Sequence, residues 1–123
     1  INFKVQVSVL SLKNSKEFDL VNKHGAKRHG AYFIAIFAKN FTAIESHSEN
    51  TMFLGMKVSK KLSKKAVIRN KIKRRIRHLV RNIHKDQSVN TANTALIIIP
   101  KKGFEDVNFQ KLADDLRGVL LKF

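Results

Sequence analysis

The chain has 123 residues, with 25 lysines and arginines against 9 acidic residues, for a formal charge of +16. That length suits one domain with a modest core, and the charge lies far beyond the magnitude of about 2 to 8 that solubility alone favours, so a polyanionic partner is expected. An apolar fraction of 43% excludes a disordered basic tail, the lack of cysteine excludes disulfides and thiolate zinc sites, and no apolar run approaches the roughly 20 residues that span a bilayer.

In chain order, INFKVQVSVL lacks the shape of a signal peptide, so a reduced, cytoplasmic location is the expectation. Val5 to Leu12 reads as a short strand or an extended arm. Asn14-Ser15-Lys16-Glu17 has the pattern of a capping box and predicts a helix to about His24, with Gly25 as its stop. Ala31 to Ala38 (AYFIAIFA) and Thr51 to Val58 (TMFLGMKV) read as buried strands flanking a polar loop. Next, Ile68, Ile72, Ile76, Leu79, Val80 and Ile83 recur at spacings of three and four, which makes one helical stripe. A polar loop from Asp86 to Asn93 follows. Ala95 to Ile99 (ALIII) is a short buried strand that Pro100 stops. Leu112, Leu116, Val119, Leu120 and Phe123 form the stripe of a C-terminal helix. The whole predicts a single domain over residues 1–123, an α+β two-layer sandwich with a small central sheet packed by three helices. The strand–helix–strand unit from 51 to 99 predicts a parallel strand pair.

The charge is concentrated on the isoleucine-stripe helix and its approach. From Lys57 to Lys85 there are 13 lysines and arginines and no acid. Arg69, Lys73, Arg77 and Arg81 repeat every four residues, in a stripe roughly opposite or flanking the isoleucine face. Like charges at that spacing cost about 0.2–0.5 kcal/mol per pair. A face built for solubility would intersperse glutamate and recover that energy. A solvated face and a membrane-surface helix are weaker readings, because acids are absent, the apolar stripe is needed for the core, and the chain has no tryptophan. Nucleic acid fits best: arginine forks pair with phosphate bidentately, lysine acts as a point charge, and Asn70 adds an amide among them.

The stretch VSKKLSKKAVIRNKIKRRIRHLVR resembles the signature of the bacterial ribonuclease P protein subunit. Val58-Ser59-Lys60-Lys61 and then Arg69-Asn70-Lys71 carry the likeness. Lys16-Glu17-Phe18 with Val21, His24 and Gly25 upstream, Tyr32-Phe33, and Ala95 to Pro100 downstream extend it. Lys71 stands where the family usually has arginine, and Asn22 where many members have a second aromatic. The resemblance implies a ribosomal-S5-like sandwich with a left-handed β-α-β crossover, against the usual right-handed rule. It implies a ribonucleoprotein endoribonuclease, a hydrolase, whose RNA holds the catalytic centre and most of the required Mg²⁺. The expected partners are ribonuclease P RNA and precursor tRNA, whose 5′ leader is removed. No membrane and no obligate protein partner are expected.

By motif position, Phe18, Phe33, Lys73 and Arg77 would hold the leader, the two rings by stacking and the two cations along its phosphates. Either phenylalanine is otherwise plain core. Lys60, Lys61, Arg69, Asn70, Lys71, Arg74 and Arg75 would meet the catalytic RNA, with Arg75 beside the apolar stripe and able to cover it with its alkyl stem. No catalytic or metal-ligating group is expected in this chain: its five histidines show no ligand spacing, and its nine acids are scattered. Glu45, Glu49, Asp114 and Asp115 read as surface residues. The alternatives are a non-catalytic ribosomal-type RNA-binding protein and a DNA-binding module. The second lacks helix-turn-helix spacing and a dimer seam.

Overall fold

The computed structural model of the protein describes residues 8–39, 41, 51–86, 91 and 93–123. Strand β1 (Ser8–Ser11) leads to helix α1 (Ser15–His24). Asn14 caps that helix, its Oδ1 accepting from the Glu17 N–H at 3.0 Å, while the Glu17 carboxylate accepts from the Lys13 N–H. The reciprocal cap predicted from the sequence therefore forms, with Glu17 reaching one residue further back than the cap itself. Gly25 ends the helix in extended backbone, at φ −93. A side chain there would bring Cβ within 2.7 Å of the Val21 carbonyl oxygen and 3.0 Å of Ile36 Cγ2. The glycine serves a close approach rather than a left-handed turn.

Strands β2 (Ala26–His29), β3 (Phe33–Ala38), β4 (Thr51–Met56) and β5 (Thr94–Pro100) complete a five-stranded sheet in the order β1-β4-β5-β3-β2. The pairs β1/β4 and β4/β5 are parallel, and β3 is antiparallel to both β5 and β2. Helix α2 (Ala66–Asp86) joins the parallel neighbours β4 and β5, as expected of a helical crossover. A 3-10 turn (Phe104–Asp106) and helix α3 (Phe109–Leu121) close the chain. The β2 strand was not predicted: all four of its residues, AKRH, are exposed, and it forms a sheet edge. The predicted start of β1 at Val5 and most of the loop from Asp86 to Asn93 lie outside the described residues.

Alternation sorts the strands onto two faces. Phe33, Ala35 and Phe37 of β3, with Met52, Leu54, Leu96 and Ile98, pack under α2 and α3. Ile36, Ala38, Phe53, Ala95 and Ile97 form a smaller core beneath α1, sealed by Val21. Both faces are covered, which is why the central strands read as continuous apolar runs. Ile72, Ile76, Leu79, Val80 and Ile83 of α2 are buried, and each such side chain contributes about 1.5–3 kcal/mol of burial. That stripe fixes which way the charged side of α2 points.

Asp115, read from sequence as a surface acid, accepts from the Ala31 N–H at 2.9 Å and the Tyr32 N–H at 3.4 Å. It thereby ties α3 to the β2–β3 turn, whose Gly30 carbonyl also accepts from Lys101 Nζ at 2.9 Å.

Candidate RNA interface

The approach to α2 is a loop folded on itself. The N–H groups of Leu62 and Ser63 reach the Ser59 carbonyl at 3.1 and 3.4 Å, and Ser63 Oγ accepts from the Lys65 N–H. Lys60, Lys61, Lys64 and Lys65 are exposed on it. Arg69, half-buried one turn into α2, donates from Nη1 to the carbonyls of Ser63 at 2.9 Å and Lys64 at 3.0 Å. The first arginine of the motif thus holds the lysine loop against the helix.

Along α2 a four-residue step advances by about 40° more than a full turn. The stripe Arg69, Lys73, Arg77, Arg81 therefore starts beside the core, where the first three are half-buried, and swings outward until Arg81 is exposed. Val67, Asn70, Lys73, Arg74 and Arg77 line one open groove of about 430 Å³. Val67, 77% exposed, sets an isopropyl group among the cations. Lys73, Arg74 and Arg77 make no hydrogen bond or ion pair among the described residues. Lys73 and Arg77, assigned by motif to the leader, share this groove with Asn70 and Arg74, assigned to the catalytic RNA. Lys71 is exposed and lies outside the groove lining.

Arg75 behaves differently. Its Nη1 donates to the Glu105 carbonyl and its Nη2 to the Val107 carbonyl, clasping the 3-10 turn. The half-buried guanidinium, placed by motif among the catalytic-RNA contacts, here faces this protein's own backbone.

The two stacking candidates part company. Phe18 is half-buried on α1, packed over the sheet against Leu12 and Gly55. A Cβ at Gly55 would sit 2.6 Å from the Phe18 ring and 2.8 Å from Leu12 Cδ1, so a larger residue there would shift the phenyl from its seat on β4. Beside it the exposed apolar Leu10 of β1 continues that face of the sheet. Phe33, by contrast, is 0% exposed and lies in the core under α2 and α3. Its assignment as a stacking residue is corrected, because a ring packed on all sides offers no face to a base. Among the histidines, His84 is buried at the end of α2 and bonded to Thr91 Oγ1. His78 is exposed, with its ring against Phe109, a pair that the sequence reading did not find.

A mixed sheet covered by three helices, with an uninterrupted cationic groove on its longest helix, defines a basic α+β domain shaped for a phosphate backbone. The family model for ribonuclease P matches residues 8–123, and the chain belongs to that family. It is 54% identical over 116 residues to the ribonuclease P protein component of Rickettsia canadensis, covering 94% of this chain and 98% of that protein. The same protein of Rickettsia akari matches equally, at 54% over 116 residues, with the same coverage of both chains. Among solved structures, the Staphylococcus aureus RNase P protein superposes with a TM-score of 0.67 at 29% identity, covering 91% of this chain and 93% of that one. The RNase P protein of Thermotoga maritima gives 0.67 at 26%, covering 92% and 96%.

Proposed function

We propose that the chain acts as the protein subunit of ribonuclease P in tRNA processing, engaging the catalytic RNA through the lysine loop and part of α2, and the 5′ leader of precursor tRNA through Phe18 and through Lys73 and Arg77 of the α2 groove. The observation that carries this reading is the groove of Asn70, Lys73, Arg74 and Arg77 on a helix with no acid between Lys57 and Lys85. Such a surface gains little from water and much from phosphates, whose neutralisation releases counterions. Lys60, Lys61, Arg69, Asn70 and Arg74 are the catalytic-RNA contacts, joined by Lys71 on the outer face. Lys73, Arg77 and Phe18 are the leader contacts. The lysines and arginines of this surface repel Mg²⁺ rather than ligate it, which supports a catalytic centre in the RNA with the required ions bound mainly there. The site of action is the cytoplasm, where tRNA precursors are made. Among the described residues no helix is long and apolar enough to cross a membrane. Membership of the ribonuclease P family takes the place of the ribosomal-type alternative.

Reconstitution tests this. The protein is mixed with a bacterial ribonuclease P RNA at low Mg²⁺, and cleavage of precursor tRNA is followed. Marked stimulation is expected. No stimulation at any salt concentration contradicts the proposal. A second arm separates the substrates: Lys73→Ala with Arg77→Ala weakens binding of leader-containing tRNA more than that of mature tRNA. Equal losses would take those two residues off the leader.

A further inference from the structure

His78 and Phe109 have no part in the surface described above, yet they sit beside it. Their ring centroids are 5.3 Å apart with planes at 66°, so the imidazole meets the phenyl edge to face. His78 is nevertheless exposed, and Phe109 is only half-buried. An aromatic ledge thus stands open on the solvent side of α2. Arg74 lies four residues before His78 and Arg81 three after, positions that fall on the same side of a helix.

The ledge is also rigid. Asn108 caps α3, its Oδ1 accepting from the N–H groups of Gln110 at 2.8 Å and Lys111 at 3.4 Å. The turn before it is clasped from α2 by Arg75. Phe109, the first residue of α3, is held in place on both sides, so the ring pair loses little freedom when a ligand arrives.

We infer that the open face of His78, backed by Phe109, stacks an unpaired base of the partner RNA, while Arg74 and Arg81 hold the phosphates that flank it. This rests on the RNA-binding role proposed above. A paired base in a helix is already stacked on its neighbours, so the ligand is a single-stranded or bulged nucleotide. Every base has a π-face, so the site tolerates sequence. Glu105 and Asp106 on the adjoining turn repel a phosphate placed near them, which orients the nucleotide with its backbone toward the arginines.

The test uses the full chain and a bacterial ribonuclease P RNA, with affinity measured across a salt series and the melting temperature of each variant recorded. His78→Phe keeps an aromatic face and binds as the wild type does. His78→Leu still covers Phe109 but has no face to stack on. It is expected to bind roughly 5-fold or more weakly, as the loss of one stacked base predicts, with an unchanged salt slope and melting temperature. Wild-type affinity in His78→Leu overturns the inference. So does equal weakening in both variants, which would point to hydrogen bonding by the imidazole. A loss that follows a drop in melting temperature also overturns it, since His78 would then only pack against Phe109. If the wild-type protein itself fails to bind the RNA, the proposed function falls first and this site with it.

Discussion

Arg74 and Arg75 are neighbours in sequence with the same side chain, and the fold gives them opposite tasks. Arg74 lines an open groove with Asn70, Lys73 and Arg77 and has no partner among the described residues. Arg75, turned by one helical step, grips the carbonyls of Glu105 and Val107. Arg69 stands between the two cases, bound to the Ser63 and Lys64 carbonyls and thereby fixing the lysine loop. The contrast teaches that a run of positive charge is not one device. Part of it faces the partner, and part of it holds the frame from which the rest is presented.

The largest effect expected comes from removing what both tasks share. Ile76 is fully buried beneath the helix, so Ile76→Ala should destabilise the protein by about 2–5 kcal/mol in urea unfolding and weaken RNA binding only in proportion to unfolding. Next is the groove: Lys73→Ala with Arg77→Ala should lower affinity for leader-containing precursor tRNA by about 30-fold or more, and Arg74→Ala should lower affinity for ribonuclease P RNA by about 5-fold or more, at roughly 1 kcal/mol or a little more per side chain. Their melting temperature should stay near that of the wild type, since none of the three has a partner to lose among the described residues. A large fall in melting temperature would erase the distinction between groove and frame.

Phe18→Leu should weaken leader-containing precursor tRNA by about 1–3 kcal/mol and leave mature tRNA unaffected, as expected of one lost stacking contact. Loss on both substrates would mean that the ring serves packing over Gly55 instead. The smallest effect belongs to Lys71→Arg. It keeps the charge on the outer face and should shift the affinity by less than about 1 kcal/mol with no change in salt slope.

Much of this frame is legible in the chain itself. The capping box at Asn14, the isoleucine stripe of α2 and the apolar runs of β3, β4 and β5 all depend on local spacing, and all form. What failed depended on distant partners. β2 was missed because a strand exposed along its whole length has no apolar alternation to betray it. Phe33 was misplaced for a related reason. Period two separates Phe33, Ala35 and Phe37 from Ile34, Ile36 and Ala38, but both sets are apolar, so nothing local says which one faces α1 and which the α2–α3 layer. Arg75 meets carbonyls 30 and 32 residues away, and His78 meets a ring on another helix. No spacing rule reaches that far.

The most direct measurement compares Arg74→Ala with Arg75→Ala by the slope of log affinity against log salt concentration for ribonuclease P RNA. A cation that neutralises one phosphate adds about 0.7–0.9 to that slope. Arg74→Ala should flatten it by about that amount with an unchanged melting temperature. Arg75→Ala should leave the slope intact and lower the melting temperature. Equal flattening by both variants would contradict the account, because Arg75 would then be another phosphate contact rather than the clasp that holds α2 to the turn before α3.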